Sequence, residues 1–183
     1  MNDEKKKERE MRRLIIENNL CKKYVPILGA IDIEKEMDIL SISELIVIYN
    51  SAKSSKNESE SELKRLETLI YDRVKYGNMN FYIINENTLQ PYGTDGYIYV
   101  YTLYDLLESR LMELKEKGME CSGDMILKHN ALEIYLSFHH KGYHGIIVNE
   151  NASNFKIDFN NLLIEEIAIN ETLSQNGYKL NDK

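Results

Sequence analysis

Residues 97–118, YIYVYTLYDLLESRLMELKEKG, decide the fold class. Over the first five residues the side chains alternate. Tyr97, Tyr99 and Tyr101 share one side and Ile98 and Val100 the other, the period of two that suits a strand. After Thr102 the period lengthens: Leu103, Leu107, Arg110, Leu111 and Leu114 recur at helical spacing. Thr102 is expected to cap that helix, with Asp105 three residues on. Lys115 and Lys117 stand in its last turn, where the helix dipole favours cations, and Gly118 offers a left-handed stop.

Upstream, the apolar run 80–84 (NFYII) predicts a second strand, joined to the first by NENTLQPYGTDG (85–96). Pro91, Gly93 and the pair Asp95-Gly96 are turn residues, so a long-looped hairpin is expected. Before it the pattern is helical. Ser59 and Glu62 form a capping-box pattern ahead of Leu63, Leu66, Leu69, Ile70 and Val74, with Gly77 closing the run. SISELIVIYNSA (41–52) predicts a short buried helix from Ser43 onward, followed by a polar loop over 54–61. Residues 4–19 predict a charged helix, interrupted at Pro26 and Gly29.

Downstream, residues 125–141 fit both periods. Length and the closing Gly142 favour a helix. GIIV (145–148) is expected to be a buried strand and FKIDF (155–159) a half-exposed one. A last helix should end near Gly177. These readings predict an α+β fold: a small mixed β-sheet flanked by helices, with an N-terminal helical segment. The expected division is a helical segment over 1–76 and an α/β domain over 77–183.

The chain has 183 residues, 43% hydrophobic and 29% charged, with a formal charge of −7. The first 23 residues hold eight Lys or Arg against five Asp or Glu, a net of +3, which leaves −10 for the rest. Acids interleave the basic start, so it is expected to be a solvated helix face, and nucleic acid is not an expected partner. No apolar run approaches the ~20 residues that span a bilayer. The N-terminus has no secretory pattern. Cys21 and Cys121 are isolated, without metal-ribbon or disulfide spacing. A cytoplasmic location with no membrane contact is expected.

The order of elements over residues 79–150 resembles the SseB-like domain (the SseB N-terminal domain). An apolar strand (Phe81 to Ile84) precedes an aromatic strand ending in Tyr101-Thr102, and a helix begins at once. Later a helix end passes through Gly142-Tyr143-His144-Gly145-Ile146 into an apolar stretch ending at Asn149, similar to the family's G-x-x-G-I and apolar-Asn signature. Glu150 stands where the family often has proline. The resemblance implies a small α/β domain of non-catalytic role and carries over no catalytic residue. It leaves the helical first half unexplained.

Three of the four histidines, His139, His140 and His144, crowd one stretch. His140 and His144 have the i, i+4 count of helical metal ligands, which makes a metal-dependent enzyme centred on them the alternative function. Against it, Gly142 should break the helix between them, and adjacent His139 and His140 point about 100° apart. Both also suit the negative end of a helix. Cys121 has acidic neighbours, which raise a thiol pKa and make it a poor nucleophile. No glycine motif for phosphate is present.

The tyrosine stripe Tyr97, Tyr99 and Tyr101 fits either packing inside the fold or a protein-binding patch with an acidic rim of Asp95, Asp105 and Glu108. The loop 85–96 belongs to the same expected contact surface. The expectation is a non-enzymatic interaction or adaptor protein, immunity- or chaperone-like. Its acidic surface would suit a basic protein partner, and no cofactor is expected.

Overall fold

The structure is a computed structural model that describes residues 3–55, 59–77, 79–150 and 152–175. The chain divides into two compact units, Met1–Val74 and Lys75–Lys183. The boundary falls two residues before the one read from the sequence.

The first unit is helical: α1 (Asp3–Tyr24), a 3-10 turn (Val25–Ala30), α2 (Ile33–Glu36), α3 (Ile42–Ser55) and most of α4 (Glu60–Tyr76). Pro26 sits in the first turn of the 3-10 segment, where its missing N–H leaves no bond unmade. Leu28, Ile33, Met37, Leu45, Ile46 and Leu66 are fully buried. Helix α3 starts one residue before the expected Ser43 because Ser41 caps it reciprocally. The Ser41 N–H donates to Glu44 Oε2 at 2.8 Å, and the Glu44 N–H donates to Ser41 Oγ at 3.3 Å. The box read at Ser59 and Glu62 forms by one arm, the Ser59 N–H donating to Glu62 Oε2 at 3.0 Å. Of the polar loop expected over 54–61, residues 56–58 lie outside the described residues. Ser54 and Ser55 instead finish α3, and Glu60 and Ser61 begin α4. On α1, Met11, Leu14, Ile15 and Ile16 are exposed.

The second unit holds β1 (Asn80–Asn85), β2 (Gln90–Pro91), β3 (Gly93–Thr94), β4 (Tyr97–Tyr101), α5 (Tyr104–Glu116), β5 (Cys121–Ile126), α6 (Ala131–His140), β6 (Gly145–Val148), β7 (Phe155–Asp158), α7 (Phe159–Leu162) and α8 (Ile164–Gln175). Among the described residues seven strands form one mixed sheet. β5 lies beside β1, β1 beside β4, β4 beside β6 and β6 beside β7, and only the β4–β6 pair is parallel. The chain is therefore α+β, as the sequence predicts.

Strand register sorts the side chains. Phe81 pairs with Tyr101, so Phe81, Ile83 and Tyr101 share one face, where they form a core with Leu107 and Leu114 of α5. Tyr82, Ile98, Val100, Ile146 and Ile157 share the other face, on which Phe138 of α6 meets Tyr82 edge to face at 5.4 Å. Tyr135 of α6 and Phe159 of α7 are buried there too. Lys75, which is buried, pairs with Glu166 at 3.0 Å, and the Tyr76 hydroxyl donates to the same carboxylate at 3.1 Å. That pairing ties α8 to the start of the unit.

Four sequence expectations need correction. Residues 125–141 are not one helix. The chain from Cys121 to Ile126 is an edge strand paired with β1 through six residues, and the helix runs only from Ala131 to His140. The polar letters of Ser122-Gly123-Asp124 hide that strand. Gly123 is there because a Cβ would stand 2.8 Å from Leu107 Cδ2, so α5 could not lie as close. Second, Thr102 does not cap α5. Leu103 occupies the N-cap, and the Thr102 hydroxyl accepts from Asn149 Nδ2 at 2.8 Å. Third, Tyr101 is 1% exposed and belongs to the core under α5, which removes it from the expected partner-binding patch. Fourth, the closing helix is broken at Leu163 into α7 and α8, and its expected end near Gly177 lies outside the described residues.

Both glycine stops are as read: Gly118 has φ +75° and Gly142 φ +86°, each closing a helix by the Schellman pattern. A Cβ on Gly142 would meet nothing within 4 Å, whereas one on Gly145 would lie 2.1 Å from the Ile157 carbonyl oxygen. Gly142→Ala is therefore expected to cost only left-handed strain, about 1 kcal/mol. Gly145→Ala should cost roughly 3 kcal/mol or more, because β7 must move. Urea unfolding of the two variants compares them directly, and equal losses would contradict this account of the motif.

Candidate functional site

The second unit carries a cleft of about 410 Å³ where β4 and β6 begin and β7 ends. Its walls are Tyr97 from the start of β4, His139 from the last turn of α6, and Tyr143 and His144 from the loop that leads into β6. Asp158 closes β7, and Asn160 and Asn161 of α7 complete the lining. The placement follows from the Gly142–Gly145 segment. Gly142 ends α6, and the backbone then threads between two neighbours. The His144 N–H donates to the Gly96 carbonyl at 2.8 Å, and its own carbonyl accepts from the Phe159 N–H at 2.8 Å.

Tyr97 is the centre of the site. Its hydroxyl donates to Asp158 Oδ1, its ring lies 6.0 Å from that of His144, and Lys156 Nζ stands 3.7 Å from its centroid. The hydrogen bond to Asp158 holds the phenol above its usual pKa, burial adds to the rise, and Lys156 opposes it. Tyr143 packs on Phe138 at 6.1 Å and donates to Gln90 Oε1 at 3.2 Å. Burial raises its pKa as well. His139 packs edge-on against Phe159 at 6.3 Å, and its Nδ1 is buried without a partner among the described residues.

The residues singled out from sequence are divided by the fold. Tyr97 is half-buried at the cleft, with Asp95 exposed in the turn before it. Tyr99 is half-buried beside Tyr92, ring to ring at 5.6 Å, and burial is the first cause of its raised pKa. Asp105 and Glu108 are exposed on α5, beyond the far end of β4. They rim the Tyr101 end and not the Tyr97 end.

Of the proposed metal pair, His144 lines the cleft, whereas His140 is exposed and absent from its lining. Gly142 separates them as its left-handed φ requires. Among the described residues no group of three or more His, Cys, Asp or Glu side chains is placed to hold a metal ion. The Cys121 thiol is raised, first by burial and then by Glu86, a cross-strand acid in place of the sequence neighbours invoked above. Sequence reasoning missed Asp158, Asn160 and Asn161. Their only signal was a polar cluster directly after a strand.

Beyond the bilayer-length criterion, no helix among the described residues is long and apolar enough to cross a membrane. No family model, curated protein or solved structure matches this chain.

A carboxylate acceptor stabilises the neutral phenol, so its removal lowers the phenol's pKa. Asp158→Asn is expected to bring Tyr97 down toward the ordinary value of about 10. Titration of the tyrosine ring carbons by NMR follows this residue by residue, and an unchanged Tyr97 midpoint would show that the bond to Asp158 does not form in solution.

Proposed function

We propose that the chain is a cytoplasmic, non-enzymatic interaction protein of SseB-like type, which binds a basic protein partner through the Tyr97 end of its sheet. The observation that carries the reading is the composition of that end. A half-buried aromatic ring, a carboxylate and two amides surround an open cleft, while the opposite end of the same strand is packed under a helix. Tyrosine suits a contact surface because its ring buries area while its hydroxyl keeps a partner. The charge of −7 favours encounter with a basic protein, mainly through the association rate. The order of β1, the hairpin, β4 and α5, and the path through Gly142 and Gly145 to Asn149, support the SseB-like assignment.

The partner is obtained by affinity capture from the native host, and its affinity is then measured with purified components. Tyr97→Ala is expected to weaken binding at least tenfold, about 1.4 kcal/mol, with the fold intact. Association should also slow as salt is raised. Unchanged affinity in a folded Tyr97→Ala protein would place the interface elsewhere.

A further inference from the structure

The lining of the cleft has the chemistry that suits a cation. Its walls carry the phenol rings of Tyr97 and Tyr143, beside the imidazoles of His139 and His144, and the faces of tyrosine rings attract cations held within about 6 Å. Asp158 contributes a carboxylate, and Asn160 and Asn161 contribute amide oxygens that accept hydrogen bonds. No arginine or lysine is among the lining residues. The rim already shows the interaction in miniature. The chain's own Lys156 lays its ammonium 3.7 Å from the Tyr97 centroid, while the hydroxyl of that ring donates to Asp158.

We propose that the cleft takes an arginine or lysine side chain of the partner, with its charged head between the Tyr97 ring and the Asp158 carboxylate. In the free protein Lys156 serves as a tethered stand-in for it. This rests on the interaction reading above and names the chemistry that the site recognises. Lys156 is exposed, so it can swing aside at little cost when a better-seated cation arrives. A guanidinium has the advantage over an ammonium. Its plane stacks on a ring while its edge donates two parallel hydrogen bonds to a carboxylate. The roughly 410 Å³ of the cleft exceeds the space one such side chain needs, which leaves room for neighbouring backbone.

The probe is N-acetyl-arginine amide, titrated into the isotope-labelled full chain and followed by NMR. Its uncharged counterpart N-acetyl-citrulline amide is the control. The arginine derivative is expected to bind weakly and to shift signals of Tyr97, Tyr143, His144, Asp158 and Asn160. The citrulline derivative should leave them in place. Asp158→Asn should weaken binding about tenfold, in line with the loss of one partner of a charge pair. Lys156→Gln should strengthen it about threefold, because an internal competitor is removed. Equal binding of both derivatives, no shifts with either, or indifference to both substitutions would overturn the proposal. The two readings fail separately. If arginine amide does not bind but Tyr97→Ala still weakens the partner, only the cation receptor is lost. If arginine amide binds while the partner ignores Tyr97→Ala, the interaction surface has been misplaced.

Discussion

The second unit depends on the side-chain amide of Asn149. This residue is 1% exposed and sits at φ +52°, a left-handed conformation that asparagine tolerates better than most residues. Its N–H donates to the Val100 carbonyl at 2.8 Å, its Oδ1 accepts from the Thr102 N–H at 2.9 Å, and its Nδ2 donates to Thr102 Oγ1 at 2.8 Å. Its carbonyl receives the N–H groups of Ala152, Ser153 and Asn154. One asparagine thus ends β6, closes β4 and turns the chain toward β7. The next residue, Glu150, extends the lock to α5. It accepts from Arg110 at 2.7 Å and from the Tyr101 hydroxyl at 3.0 Å. Buried polar groups are costly unless paired, so this set of bonds holds one geometry of strand, helix and turn.

That lock gives the two ends of the β4–β6 pair opposite characters. At the Asn149 end Asn149 bonds to Thr102, Glu150 bonds to Arg110 and Tyr101, and α5 covers the tyrosine face. At the Gly145 end the strands meet over a glycine, the helix α6 has just stopped, and no helix among the described residues of the second unit covers Tyr97 as α5 covers Tyr101. The cleft follows from this difference. It is the space left where α6 finishes and α7 begins, beside β6, whose first residue is the side-chain-free Gly145. Tyr97 and Tyr101 belong to one stripe in the sequence, yet one is a surface group and the other part of the core.

The alternation of 97–101, the helix of 104–116 and the glycine stops were legible because each rests on local physics: side-chain period, dipole and left-handed backbone. Strand β5 was not. Ser122, Gly123 and Asp124 carry no strand signal of their own, and only pairing with β1 and the approach of Leu107 make the segment extended. Thr102 was misread for a related reason. Its hydroxyl suits a helix cap, but a residue 47 positions away claims it. The cleft was partly legible, because the crowded histidines marked one wall. Asp158, Asn160 and Asn161 reach it through the β6–β7 pairing, which no local spacing reports.

The central claim is that the open Tyr97 end, and not the locked Asn149 end, meets the partner. Hydrogen–deuterium exchange of the full chain, with and without the captured partner, tests it most directly. The account predicts slowed exchange at 95–98, 143–146 and 156–161, with residues 102–110 unchanged. Protection confined to 102–110, or to the first unit, with the Tyr97 end unaffected, would contradict it.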